Sequence, residues 1–267
     1  MIVSPALDVV VDVGNFAVRF ITTDAQLSEL LHRRYAGFLN STAATVYQFD
    51  VSIVAPGHLS VDADLDVRVV GGRWSLARGD FRAEWDPVTR RGWIQQTVNP
   101  YSADSVLRIV HTLLLASRGG FLLHACSGIR GGRAFVFTGP SGAGKTTMAR
   151  LAPPDVTLLS DEISYVRKVD GAYVAFGTPF AGELGTPGER VSAPLNAIYQ
   201  LAWGDSHRID RLSGTDAVKV LMKNILFFVD DTNLSRQVFE TACHVAETVP
   251  VYRLTFAPDA GAWDAVA

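Results

Sequence analysis

The residues best suited to chemistry form a glycine-rich segment in the second half of the chain. Positions 139–146 read Gly-Pro-Ser-Gly-Ala-Gly-Lys-Thr and match the pattern G-x-x-x-x-G-K-S/T at every fixed position. The apolar run Phe135–Phe137 before it predicts a strand, and Lys145–Leu151 after it is compatible with a helix. Glycines allow successive backbone N–H groups to point at phosphate oxygens, and a helix start adds a positive end. The segment therefore predicts a phosphate-binding loop for ATP or another nucleoside triphosphate.

The residues of this loop have distinct expected roles. Lys145 supplies positive charge to the β- and γ-phosphates, and the Thr146 hydroxyl is placed to bind Mg²⁺, with Thr147 as a less suitable substitute. The nucleotide-binding residues predicted by the motif are Gly139, Pro140, Ser141, Gly142, Ala143, Gly144, Lys145, Thr146 and Thr147. The motif indicates nucleotide binding and leaves open what happens to the phosphate.

An acidic pair follows the loop after a short stretch of chain. Pro153-Pro154 must end the helix because proline lacks the amide donor, and Val156–Leu159 predicts a strand that leads to Asp161 and Glu162. Since ligands collect at the carboxyl ends of strands, we expect the pair at the same sheet edge as the loop. One carboxylate can bind Mg²⁺ and another can accept a proton from an attacking hydroxyl. The alternative is a solvated acidic pair at the start of a loop.

A single histidine, His124, lies in the apolar run Phe121–Cys126. That run predicts a strand, which we expect to form a hairpin-like pair with the strand Ala134–Thr138 that leads into the loop. A histidine in an apolar strand is often a satisfied core residue. A side chain at this edge can also reach the γ-phosphate or the acidic pair, and the residues alone do not separate the two interpretations.

Three segments together resemble a known family. Leu123-His124-Ala125, then Gly139–Thr147, then Leu158–Glu162 resemble the catalytic core of HPr kinase/phosphorylase, and more closely the small HPr-kinase-like proteins among peptide-tailoring kinases. That family is related to ATP-dependent phosphoenolpyruvate carboxykinase. The resemblance covers roughly residues 119–198. It implies an α/β fold with a P-loop core and a mixed sheet, and it implies ATP and Mg²⁺ as cofactors.

The resemblance also implies roles for individual side chains. Lys145 contacts the β- and γ-phosphates, Thr146 binds the metal, and Asp161 and Glu162 divide metal binding and proton abstraction. The metal ligands implied are therefore Thr146, Asp161 and Glu162. His124 becomes a neighbour of the transferred phosphate.

A third acidic residue, Glu183, matches an acidic residue of the family's active site. It ends the glycine-rich segment Gly177–Glu183, which is also compatible with a strand followed by a turn and an exposed glutamate. The sequence departs from the family at Glu162, where aspartate is frequent. It also has no counterpart of the glycine-rich signature that grips HPr, which argues against HPr as the substrate.

Composition limits the class of protein. The 267 residues carry a formal net charge of −3 and are 48% hydrophobic, which excludes a disordered chain and gives no electrostatic feature for nucleic acid or an anionic membrane. Two cysteines, Cys126 and Cys243, are too few for a disulfide scaffold. The first residues contain no basic cluster, and no apolar run is long enough to span a membrane. We therefore expect a soluble, cytoplasmic protein that binds neither nucleic acid nor membrane.

The character of the sequence changes near Asn99-Pro100. Before this point, short β-branched and aromatic runs separated by turn signals predict an antiparallel meander, interrupted by one helix near Asp24–Tyr35. After it, Ser102–Ser117 has the apolar spacing of a helix. We expect a small β-rich domain over residues 1–99, for substrate recognition or assembly, and a P-loop kinase-like domain over residues 100–267.

Three functions follow from this pattern. The leading hypothesis is a Mg²⁺-dependent kinase that transfers the γ-phosphate of ATP to a serine or threonine hydroxyl of a peptide or small protein. The second is a kinase for a small molecule such as a free hydroxy amino acid, which needs a closed, charged pocket where a peptide needs a groove or a sheet edge. The third is a nucleotide-dependent regulatory switch that transfers no phosphate. A homo-oligomer is compatible with each, because related kinases often assemble.

Overall fold

The structure is a computed structural model that describes residues 5–55, 65–79 and 81–266. The chain divides into two compact units, Met1–Val110 with Phe228–Asp230, and His111–Phe227 with Asp231–Ala267. Each unit contains a sheet with both parallel and antiparallel strand pairs, so the fold is mixed α/β with two mixed sheets. In the part of the chain that the structure describes, no helix is long and apolar enough to cross a membrane.

A sheet of seven strands forms the first unit. Its strands are β1 (Leu7–Val13), β2 (Phe16–Thr22), β3 (Thr45–Ile53), β4 (Asp66–Val70), β5 (Arg73–Arg78), β6 (Phe81–Asp86) and β7 (Arg91–Gln96), in the spatial order β1-β2-β3-β7-β6-β5-β4. Helix α1 (Ala25–Arg34) lies between β2 and β3 in the chain, which confirms the helix predicted there. The carboxylate of Asp24 caps α1 by accepting a hydrogen bond from the N–H of Leu27.

The antiparallel meander predicted for this region is confirmed for the pair β1–β2 and for β4 to β7, and it is wrong for β3. Strands β1 and β2 pair antiparallel with each other, and β4 to β7 pair antiparallel with their neighbours in the chain. β3 instead lies between β2 and β7 and is parallel to both. Parallel neighbours need a crossover connection, and α1 provides one between β2 and β3. The alternation of apolar and polar residues predicts where the strands are in the chain. The order of β2, β3 and β7 in the sheet depends instead on this crossover.

The second unit is built on nine strands and the helices around them. The strands are β8 (Gly120–Arg130), β9 (Arg133–Thr138), β10 (Thr157–Ser160), β11 (Ile163–Val169), β12 (Ala172–Phe176), β13 (Ser192–Trp203), β14 (Arg208–Arg211), β15 (Ile225–Leu226) and β16 (Val251–Phe256). The helices are α2 (Tyr101–Ala116), which contains the division between the units, α3 (Lys145–Arg150), α4 (Gly214–Asn224), α5 (Thr232–Thr248) and α6 (Gly261–Asp264).

Two long strands, β8 and β13, determine how the sheet is connected. The first half of β8 pairs with β11, and its second half pairs with β9 and β10. β13 is parallel to both β9 and β16. Because β9 and β10 are each antiparallel to β8, they run in the same direction as β13. The carboxyl ends of β9, β10 and β13 therefore lie at the same edge of the sheet.

Apolar side chains cover both faces of this sheet. Along β9, Val136 belongs to one buried cluster, and Phe135 and Phe137 belong to another. The first cluster takes in residues of α4 and α5, and the second takes in residues of α3 and α6. The indole N–H of Trp263 in α6 donates to the carbonyl of Met148 in α3 at 2.9 Å. Packing on both faces thus fixes β9 and α3, the two elements that flank the predicted phosphate loop.

Candidate active site

The predicted phosphate loop connects β9 directly to α3. Gly142 and Gly144 have φ angles of 78° and 104°, in the left-handed region that favours glycine. Gly144 is also tightly packed, because a Cβ at this position would lie 2.6 Å from Cζ of Phe256 and 2.9 Å from Cζ2 of Trp203. The backbone angle and the packing therefore both require glycine at position 144.

Lys145 begins α3, and its side chain returns across the loop. The Nζ atom donates hydrogen bonds to the carbonyl oxygens of Gly139 at 3.0 Å and Pro140 at 3.1 Å. The residue is only 8% exposed. Burial lowers the pKa of Lys145, and the negative charges of Glu162 and Glu183 oppose that shift. A phosphate in the loop would give this ammonium a charged acceptor, which makes a stronger hydrogen bond than a neutral carbonyl.

A sharp turn after β10 carries the acidic pair. The Oγ atom of Ser160 accepts hydrogen bonds from the N–H of Glu162 at 3.2 Å and of Ile163 at 2.8 Å. The carbonyl of Glu162 accepts a hydrogen bond from the N–H of Ala125 in β8 at 2.9 Å. These bonds hold the acidic pair beside β8, which is the strand that carries His124.

Asp161 is buried and binds a second segment of the chain. Its Oδ1 accepts a hydrogen bond from the N–H of Gly182 at 2.8 Å, and its Oδ2 accepts one from the N–H of Leu184 at 2.9 Å. Glycine at 182 permits this approach, because a Cβ there would lie 2.7 Å from Cβ of Glu162. Glu183 lies between the two bonded residues, so Asp161 fixes the backbone from which Glu183 projects.

His124 is half-buried at the junction of three strands. It pairs with Ile163 of β11, and its carbonyl accepts a hydrogen bond from Oγ1 of Thr138, the last residue of β9, at 2.9 Å. Burial lowers the pKa of His124, and the positive charge of Lys145 lowers it further. The imidazole is therefore neutral at pH 7 and able to accept a proton.

A cavity of about 340 Å³ lies at this edge of the sheet. It is lined by His124, Ser141, Gly142, Gly144, Lys145, Thr146, Thr147, Arg150, Asp161, Glu162, Glu183 and Trp203. The five residues predicted to be catalytic thus line one cleft together with most of the loop. Gly139, Pro140 and Ala143 are not among the lining residues. The first two accept hydrogen bonds from Lys145, and Ala143 is buried in the apolar core.

Two lining residues have no motif that marks them in the sequence. Arg150 is four residues after Thr146 on α3, and this spacing puts both on one helix face, which is a usable but weak signal. Trp203 ends β13, and its place beside the loop depends on the parallel pairing of β13 with β9. No local pattern predicts that pairing.

The cleft offers oxygen donors for the implied Mg²⁺. The hydroxyl of Thr146 and the carboxylates of Asp161 and Glu162 all line it, and Mg²⁺ prefers such oxygen ligands. Among the described residues, no group of three or more His, Cys, Asp or Glu side chains is arranged to hold a metal ion. Mg²⁺ usually binds through one or two carboxylates together with substrate phosphates. The residues present therefore fit a metal that binds together with a nucleotide.

Comparison with known proteins identifies a family. A solved structure with some similarity is the Hpr(Ser) kinase/phosphatase from Coxiella burnetii. The match covers 48% of this chain and 92% of that chain, at 7% sequence identity and a TM-score of 0.26. These values are too low to establish a shared fold or activity. No curated protein matches the sequence. The model of the family described as "SynChlorMet cassette protein ScmC" matches residues 94–266, more than half of the chain. The chain therefore belongs to the ScmC family of SynChlorMet cassette proteins.

Proposed function

We propose that the protein is a Mg²⁺-dependent kinase that transfers the γ-phosphate of ATP to a serine or threonine hydroxyl of a peptide or protein. The observation that carries this proposal is that Lys145, one histidine and three carboxylates line the same cleft. A protein that only binds a nucleotide needs the loop and the lysine. A phosphotransferase also needs groups that accept a proton and hold a metal at the transferred phosphate. The acidic side of the cleft supplies such groups.

In the proposed reaction, the acceptor oxygen attacks the γ-phosphorus. The bond from that phosphorus to the bridging β–γ oxygen breaks, and ADP leaves with the electron pair. Lys145 and the N–H groups of the loop stabilise the charge on the transferred group. Mg²⁺, when bound, neutralises charge on the β- and γ-phosphate oxygens.

The hydroxyl proton passes to Glu162 in this proposal. Both oxygens of Asp161 already accept backbone N–H groups of the segment that carries Glu183, so this carboxylate is engaged in positioning that segment. Asp161 is therefore assigned to holding the Glu183 segment and to metal binding, for which each oxygen keeps a second lone pair. Neutral His124 is a second proton acceptor in the same cleft. The peptide or protein acceptor is proposed from the resemblance to peptide-tailoring kinases.

The test uses ATP radiolabelled at the γ-phosphate, MgCl₂, a library of serine- and threonine-containing peptides and a panel of hydroxyl metabolites. We expect label in a peptide with the wild type, and none with Lys145→Ala. Glu162→Gln should slow transfer by about 100-fold or more while it still binds ATP. Glu247→Gln, which removes an exposed carboxylate on α5, is the matched control and should transfer at the wild-type rate.

Two results would contradict this proposal. Label in metabolites alone would indicate a small-molecule kinase. Tight ATP binding with no label in any acceptor would indicate a nucleotide-dependent switch.

A further inference from the structure

Trp203 and the acidic residues lie on opposite sides of the loop. The strands β10, β8, β9 and β13 are consecutive neighbours, with β9 leading into the loop. Asp161 and Glu162 follow β10 on one side, and Trp203 ends β13 on the other. A triphosphate in the loop with its γ-phosphate toward the acidic pair therefore directs its nucleoside toward β13. Trp203 is the residue of β13 that lines the cleft.

Three contacts fix the indole ring of Trp203. Its Nε1–H donates a hydrogen bond to the carbonyl of Gly142 at 2.7 Å. One face stacks on the buried ring of Phe256, with centroids 4.7 Å apart and an interplanar angle of 26°. Its Cζ2 packs against Gly144. The position of the ring is thus set before any ligand binds.

Despite these contacts, Trp203 is 48% exposed. Because Phe256 covers one face, the exposed area belongs mainly to the other face and to the ring edge. This exposed aromatic face is held rigidly in the cleft and suits a flat aromatic ligand. Because the ring is already fixed, a ligand that stacks on it costs little side-chain conformational entropy.

We propose that Trp203 binds the base of the nucleotide, which stacks on the exposed face of the indole. The proposal rests on the proposed binding of a nucleoside triphosphate at the loop, and it adds the contact that the loop cannot supply. Loop amides and Lys145 recognise phosphates only. Stacking on an aromatic side chain strengthens binding by roughly 10-fold for one base and tolerates any base. Trp203 therefore distinguishes a nucleotide from inorganic polyphosphate.

The hydrogen bond to Gly142 gives Trp203 a second effect, on the shape of the loop, and two variants separate the effects. Trp203→Phe keeps an aromatic face and removes the N–H donor. Trp203→Leu removes both. Loss of the hydrogen bond alters phosphate binding, so it weakens MgATP and magnesium tripolyphosphate alike. Loss of the aromatic face weakens MgATP only.

Calorimetric titration of the full chain with MgATP and with magnesium tripolyphosphate tests this assignment. We expect the wild type to bind MgATP about 10-fold more tightly, Trp203→Phe to keep that ratio, and Trp203→Leu to reduce it to near one. Trp93→Phe, a partly exposed tryptophan of β7, is the control and should keep both affinities. A wild-type ratio near one, or an unchanged ratio in Trp203→Leu, would overturn the assignment.

A second measurement covers the case in which Trp203→Leu does not fold. MgATP should quench the tryptophan fluorescence of the wild type, tripolyphosphate should not, and the quench should be absent from Trp203→Phe. A quench that persists in Trp203→Phe would contradict the proposal. Failure of the wild type to bind either ligand would instead reject nucleotide binding at the loop, and base stacking with it.

Discussion

Replacement of Asp161 by asparagine keeps the shape of the side chain and removes one of its two acceptor oxygens. In the wild type, the two oxygens accept the N–H groups of Gly182 and Leu184 at 2.8 and 2.9 Å. Asparagine has one acceptor oxygen and one NH₂ donor. One backbone N–H must then face another donor, whichever way the amide is turned. The Gly182–Leu184 segment should therefore detach more readily from the end of β10.

The size of this effect follows from the burial of the carboxylate. Asp161 is 6% exposed, and a hydrogen bond to a charged group contributes about 1.5–3 kcal/mol. The segment itself is partly exposed, so the released N–H can reach water when the segment opens. We therefore expect a cost near the lower end, about 2 kcal/mol. This cost raises the equilibrium constant for local opening of the segment by roughly 30-fold, since 1.4 kcal/mol is a factor of ten.

Amide hydrogen exchange measures this opening directly. Peptides that contain residues 182–184 should exchange roughly 30-fold faster in Asp161→Asn than in the wild type. Glu183→Gln is the matched control, because it changes an exposed side chain on the same segment and leaves the two hydrogen bonds in place. Its exchange should equal that of the wild type. Unchanged exchange in Asp161→Asn would refute the role of Asp161 in holding the segment.

A double-mutant cycle connects this to the proposed activity. If Asp161 places Glu183, phosphotransfer by Asp161→Asn/Glu183→Gln should be no slower than by Asp161→Asn alone. Independent roles predict losses that multiply. If the losses multiply while exchange of residues 182–184 is still faster in Asp161→Asn, Asp161 holds the segment. In that case its effect on activity does not act through Glu183.

Two histidines give the remaining predictions. Burial and Lys145 hold the pKa of His124 below its ordinary value of 6.5, so phosphotransfer should stay constant down to about pH 6.5 and decline at lower pH as the ring gains a proton. His124→Asn should lack this part of the decline, and identical profiles would exclude His124 as a proton acceptor. Burial lowers the pKa of His111 to about 3, so protonation favours the unfolded chain. Its contribution to stability is complete above pH 6.5 and falls toward pH 3, with a loss of roughly 2 kcal/mol by pH 5. Urea unfolding at pH 7 and at pH 5 measures this loss. The free energy of unfolding should fall less between the two pH values for His111→Leu than for the wild type, and an equal fall would contradict the argument.

The sequence predicts those parts of the site that depend on local signals. Glycines mark the loop, Pro153-Pro154 marks the end of the short helix, and an apolar run marks the strand before the acidic pair. Each of these acts over a few residues, and the structure has β9, α3 and β10 close to the expected positions. The parallel pairings of β3 and β13 join segments far apart in the chain. They depend on packing across the sheet, which a local pattern does not encode. For that reason the sequence does not predict the contribution of Trp203 to the cleft.

The position of Glu183 shows how topology supplies what a motif cannot. β11 leads away from the acidic pair, and β12 returns antiparallel to it, so the chain arrives back at the edge that it left. On its return, the N–H of Thr178 donates to the carbonyl of Leu159 at 3.0 Å, and the N–H of Glu189 donates to that of Leu158 at 3.0 Å. These bonds anchor the returning segment along β10 on both sides of Glu183. Because they do not involve Asp161, loss of the Asp161 carboxylate should free residues 182–184 without unfolding the rest of the segment.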